Sequence, residues 1–155
     1  MILPDENTQT GVLLIAHGSR HGPANEDLHQ LAARFRTRGD YPIVEACFLE
    51  LAEPDIATGG GRCVSLGATR VLMIPYFLSA GVHMLRDLTA ARDGLRLHHP
   101  GVDFRLGTTL GPHPLLDAIV ADRVRELVQV NGRLDFAPSA DMARRYAPMD
   151  GDPSS

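Results

Sequence analysis

An α/β fold, with an open, mainly parallel four-stranded sheet and helices on both faces, is predicted by three features of this 155-residue sequence. Short apolar runs alternate with longer segments of helical period. The first run, Gly11-Val12-Leu13-Leu14-Ile15-Ala16, is apolar without interruption, as a strand buried on both faces requires. The segments between runs are long enough for crossover helices, which implies parallel βαβ units of right-handed connection.

The elements follow in order. After a turn with Gly18, Gly22 and Pro23, a helix is predicted from Leu28, Leu31, Ala32 and Phe35 at i, i+3, i+4 and i+7, closed by Gly39 and Asp40. Pro42 to Phe48 reads as a second strand, interrupted by Glu45. A weaker helix starts near Glu53-Pro54, with proline suited to a first turn. Gly59, Gly60 and Gly61 each cost about 1 kcal/mol there relative to alanine, so a broken or distorted helix is expected. Arg70 to Pro75 forms the third strand. The next helix starts near His83, aligns Met84, Leu88, Ala91 and Leu95, and stops at His98-His99-Pro100-Gly101. Val102 to Leu106 is a fourth strand. Pro112 to Val130 is a last helix, with Leu116, Ile119, Val120, Val124, Leu127 and Val128 expected to face inward. Residues 1–10 form an N-terminal extension, 11–131 the α/β domain, and 132–155 a loosely held, proline-containing tail with a short helical piece around Asp141 to Tyr146.

Composition excludes several classes. A formal net charge of −4 argues against a general nucleic-acid surface. No apolar run reaches the roughly 18 residues of a membrane span. The start of the chain carries Pro4, Asp5 and Glu6 instead of a basic segment followed by an apolar one, so no secretory signal is read there and a cytoplasmic location is expected. Cys47 and Cys63 lack the close spacing of a zinc or redox motif, and Cys47 reads as a buried structural thiol. All 15 basic residues are arginine. Their forked guanidinium groups suit carboxylate-rich ligands, although genomic base composition explains the same bias.

In an open parallel sheet, ligands bind beyond the carboxyl ends of the strands at a switch in strand order. His17 follows the first strand immediately, Glu50 follows the second, and His83 ends the loop after the third. With the first strand central, these loops are neighbours, and a cluster of two imidazoles and a carboxylate is expected. Such a set suits borderline divalent ions: cobalt, nickel, iron(II) or zinc. Asp87, one helical turn beyond His83, either orients that ring or stabilises the helix start. His21, His29 and His113 default to loop or surface roles.

Three segments resemble a known family. Val12-Leu13-Leu14-Ile15-Ala16-His17-Gly18-Ser19-Arg20 is similar to the opening strand motif of the class II chelatases, the small sirohydrochlorin cobaltochelatase and ferrochelatase group. Phe48-Leu49-Glu50-Leu51-Ala52-Glu53-Pro54 resembles its second-strand motif. Pro75-Tyr76-Phe77-Leu78-Ser79-Ala80-Gly81-Val82-His83 resembles the loop carrying its second histidine. The resemblance implies a flavodoxin-like chelatase fold, a lyase that inserts Co²⁺, Fe²⁺ or Ni²⁺ into sirohydrochlorin or a related tetrapyrrole, and a place in cobalamin or siroheme biosynthesis. It gives metal and proton handling to His17 and His83; beside them Glu50, placed by its strand end, is expected as an additional catalytic base or as the group that orients an imidazole. The metal is then a substrate, no permanently bound cofactor is expected, and short members of the family work as homodimers. Departures from the family pattern are Asp87-Leu88-Thr89 after the second histidine, the glycine run, and the acidic tail.

No glycine loop with lysine is present to cradle a nucleotide phosphate, so insertion without ATP is expected. Arg20 or Arg86 would contact substrate carboxylates. Two alternatives stand beside this reading. Arg20-His21-Gly22 matches the short motif of histidine phosphatases, which would make His21 a phosphoryl acceptor. A non-catalytic metal or tetrapyrrole carrier would keep the same scaffold.

Overall fold

A computed structural model describes residues 8–129. The order of elements is β1 (Thr10–Ala16), α1 (Gly22–Arg38), β2 (Ile43–Phe48), α2 (Ile56–Ser65), β3 (Arg70–Pro75), α3 (Val82–His98), β4 (Asp103–Leu106) and α4 (Pro114–Gln129). These fall into two compact units, divided after Leu110. The tail from residue 132, and the helical piece expected around Asp141 to Tyr146, lie outside the described residues.

The four strands pair in parallel in the order β2-β1-β3-β4. β1 is central, and its apolar run is buried on both faces from Gly11 to Ile15. Strand order reverses direction at β1, so right-handed crossovers put α1 on one face and α2 with α3 on the other. Val12, Leu14, Val44 and Phe48 meet Leu28 and Ala32 of α1. Leu13, Ile15, Val71, Met73 and Phe104 meet Ile56 and Cys63 of α2 and Leu88 and Leu95 of α3. Glu45, which interrupts the apolar second strand, lies on an edge strand and meets Arg36 at 3.5 Å.

Two expectations are overturned. α2 is not broken: it runs continuously through Gly59, Gly60 and Gly61, with Asp55 as N-cap accepting from the Thr58 amide. A Cβ on Gly59 would stand 2.7 Å from Cys47 Cβ, and one on Gly60 would stand 2.6 Å from Leu95 Cδ2. The glycines are therefore the contact surface through which α2 approaches β2 and α3, and close packing outweighs their low helix propensity. α4 begins at Pro114 rather than Pro112, and none of its residues is buried. Ile119, Val120, Val124, Leu127 and Val128 are all at least half exposed. Amphipathic spacing establishes that a helix has an apolar side, and leaves open which surface covers it.

Both cysteines are free and buried, as the apolar context of Cys47 implies. Burial pushes both thiols up, Cys63 to about 12. Only a thiolate attacks, so at about pH 8 the reactive fraction of Cys63 is on the order of 10⁻⁴. An aromatic disulfide reagent should leave both thiols unlabelled in the folded protein and label both in denaturant. Fast labelling of the native chain would contradict their packing.

Candidate functional site

The backbone ladder between β1 and β2 continues past both strand ends. The Leu49 amide donates to the Ala16 carbonyl and the Glu50 amide to the His17 carbonyl, each at 2.9 Å. His17 and Glu50 are thereby held side by side at the carboxyl edge of the sheet, next to the switch between β1 and β3. Gly18 has a φ of +96°, and a Cβ on it would overlap the Glu50 carbonyl oxygen, so only glycine fits this crossing. Across Leu51, with φ +61°, the Ala52 amide donates to the Glu50 carbonyl at 2.8 Å. That three-residue turn is of the rarer, strained hand.

His17 Nε2 and Glu50 Oε2 lie 3.9 Å apart, with about half of each side chain exposed. This separation is too long for a hydrogen bond. It is close to the span of two donors that share one ion: ligand bonds of 2.0–2.2 Å at a tetrahedral angle place two donors about 3.4 Å apart. A small side-chain rotation closes the difference. On the other side of the ring, His17 Nδ1 is 3.3 Å from the Gly18 carbonyl oxygen. A carbonyl only accepts, so as a hydrogen bond this contact has Nδ1 donating, and the neutral ring then keeps its lone pair on Nε2, the nitrogen nearer Glu50.

The ring borders a cleft of about 290 Å³ whose wall includes Ser19, Asn25, Asp27, Phe48 and Tyr76. Tyr76 begins the loop after β3, anchored by its amide to the Ile15 carbonyl at 2.7 Å. His83 is exposed on the first turn of α3, whose Gly81 N-cap contributes no side-chain hydrogen bond. Among the described residues, no group of three or more His, Cys, Asp or Glu side chains is gathered in metal-binding geometry. The structure thus brings His17 and Glu50 together but does not complete the expected three-residue cluster with His83. Asp87 is exposed. His98 closes α3, its Nδ1 2.8 Å from the Gly94 carbonyl.

A larger cleft, about 370 Å³, lies against α2 and α3 and is lined by Ala57, Ala91, Gly94, Leu95, His98 and His99. Its walls are mostly apolar and it contains none of the strand-end residues. His21 is the N-cap residue of α1, and its Nε2 is buried without a hydrogen-bond partner. That nitrogen is closed to a phosphoryl donor. Ser19 and Asn25, which shape the loop after His17, carry no motif of their own. The available signal was an asparagine, a poor helix former, inside the first turn and a half of α1.

The family model described as CbiX matches residues 11–127. The chain is 36% identical over 126 residues to the chloroplastic sirohydrochlorin ferrochelatase of Arabidopsis thaliana, covering 81% of this chain and 56% of that protein. It is 32% identical over 117 residues to a sirohydrochlorin cobaltochelatase of Priestia megaterium, covering 76% of this chain and 38% of that protein. Among solved structures, SirB from Bacillus subtilis with Fe³⁺ superposes with a TM-score of 0.71 at 27% identity, over 77% of this chain and 48% of that one. The chain therefore spans roughly half the length of these relatives or less. No helix among the described residues is long and apolar enough to cross a membrane.

Proposed function

Because this chain belongs to the CbiX family of class II sirohydrochlorin chelatases, we propose that it inserts a divalent metal, cobalt, iron or nickel, into sirohydrochlorin or a related tetrapyrrole, without ATP. The observation that carries this reading is the His17–Glu50 pair, two donors 3.9 Å apart at the head of the central strand. His17 Nε2 and Glu50 Oε2 hold the incoming ion with few ligands and an open side. The ring nitrogens of the macrocycle then replace them one by one. Two pyrrole protons leave as the metal enters, so charge balances: a dication is taken up and two protons are released. His17, once released by the metal, and His83 accept those protons, with Glu50 as a further base, and pass them to water. The exposed Arg20 and Arg86 are suited to carboxylates on the macrocycle rim. The family match runs through Arg20-His21-Gly22, which favours chelation over phosphoryl transfer.

The reading includes a homodimer in the cytoplasm. The exposed apolar residues of α4 support the dimer. The test is anaerobic insertion followed by absorbance, with sirohydrochlorin and Co²⁺, Ni²⁺ or Fe²⁺ in turn. Acceleration over the spontaneous reaction is expected with at least one metal, from protein that sediments as a dimer. Binding without acceleration would establish the carrier instead.

A further inference from the structure

The contact at His17 Nδ1 is made to a single peptide group. The carbonyl it meets belongs to Gly18, and the N–H of the same peptide belongs to Ser19. A trans peptide holds its C=O and N–H rigidly in opposite directions. The Ser19 N–H donates to Asn25 Oδ1 at 2.9 Å, while Asn25 Nδ2 donates to the Ser19 carbonyl at 2.7 Å. These bonds are part-buried and fix which way round the Asn25 amide sits, because an N–H and a carbonyl accept no other pairing. A third bond, from the His21 amide to Ser19 Oγ at 3.0 Å, closes the loop on itself.

We infer that Asn25 is a positioning residue for His17: by clamping the Gly18–Ser19 peptide it turns the Gly18 carbonyl to the ring, keeps the proton on Nδ1, and leaves Nε2 free as a metal donor beside Glu50. The inference rests on the chelatase reading for its catalytic meaning, but the tautomer itself does not depend on it. Asn25 sits at a helical position where alanine is the better helix former, and its side chain serves the loop instead of its own helix. Ligating imidazoles depend on such a partner for the second ring nitrogen, and loss of the partner typically costs 10- to 100-fold in affinity or activity.

The test uses the full chain with ¹⁵N-labelled histidine at about pH 8.5, where an ordinary imidazole is neutral. The wild type is expected to show His17 as the Nδ1–H tautomer by its ring nitrogen shifts. Asn25→Ala should move the ring towards the Nε2–H form, lower kcat for metal insertion by about 10-fold or more, and leave KM for the tetrapyrrole near the wild-type value. Asn25→Asp keeps the acceptor for the Ser19 N–H but sets a carboxylate oxygen against the Ser19 carbonyl, so it should recover only part of either signal. An unchanged tautomer in Asn25→Ala, or a shifted tautomer with unchanged kcat, would overturn the inference. If the wild type inserts no metal, the chelatase reading fails, and the nitrogen shifts still decide whether Asn25 sets the ring.

Discussion

His17→Ala is expected to lower the rate of metal insertion by about 10²- to 10³-fold, the scale of a lost donor and proton-handling group. The fold should survive. The side chain is about half exposed, and the bond from the Glu50 amide goes to the His17 backbone carbonyl, which alanine retains. Glu50→Gln keeps shape and polarity but removes the charge, so a smaller loss of about 10-fold is expected, reflected in metal dependence more than in tetrapyrrole KM. Anaerobic initial rates beside thermal melts separate these effects from unfolding. Full activity in His17→Ala would remove the strand-end pair from the reaction. His83→Ala provides the comparison: a loss with unchanged metal affinity assigns it to proton transfer.

The second large effect concerns adjacent glycines in α2. Gly59→Ala gains about 1 kcal/mol of helix propensity. It also drives a methyl group to 2.7 Å from Cys47 Cβ and 3.0 Å from Leu13 Cδ1. Both neighbours are fully buried, so neither side chain has room to swing aside. Overpacking a tight core costs about 1–3 kcal/mol. The net expectation is a loss of up to about 2 kcal/mol and a Tm lower by up to about 8 °C. Two residues on, the sign reverses. A Cβ on Gly61 meets nothing nearer than His99 Nε2 at 4.0 Å. Gly61→Ala should therefore stabilise by about 0.5–1 kcal/mol. Equal shifts in the two variants would mean that helix propensity, and not close approach, governs α2.

That contrast marks where the sequence is legible and where it is not. β1 could be read from an unbroken apolar run because burial on both faces leaves no position for a polar residue. The glycine run could be read only for its propensity cost. What it gains depends on Cys47, Leu13 and Leu95, which are distant in sequence. α4 shows the same limit from the other side, since its apolar face is evident and its cover is not. At the site, His17 and Glu50 were legible as neighbours because they lie one and two residues beyond the ends of two adjacent parallel strands. His83 sits a loop farther on, where strand order no longer fixes distance. Asn25 acts through a peptide plane, a relation that residue spacing does not encode.

The continuation of the β1–β2 ladder to Glu50 has a kinetic consequence. On the proposed reading, with the backbone at His17 and Glu50 pinned, an ion reaches and leaves them without any loop opening. Only side-chain torsions remain, and exposed ones turn over in picoseconds to nanoseconds. Residence time is then governed by ligand number rather than by a gate. Two donors facing water make a short stay, which suits a way-station whose task is to hand its ion on.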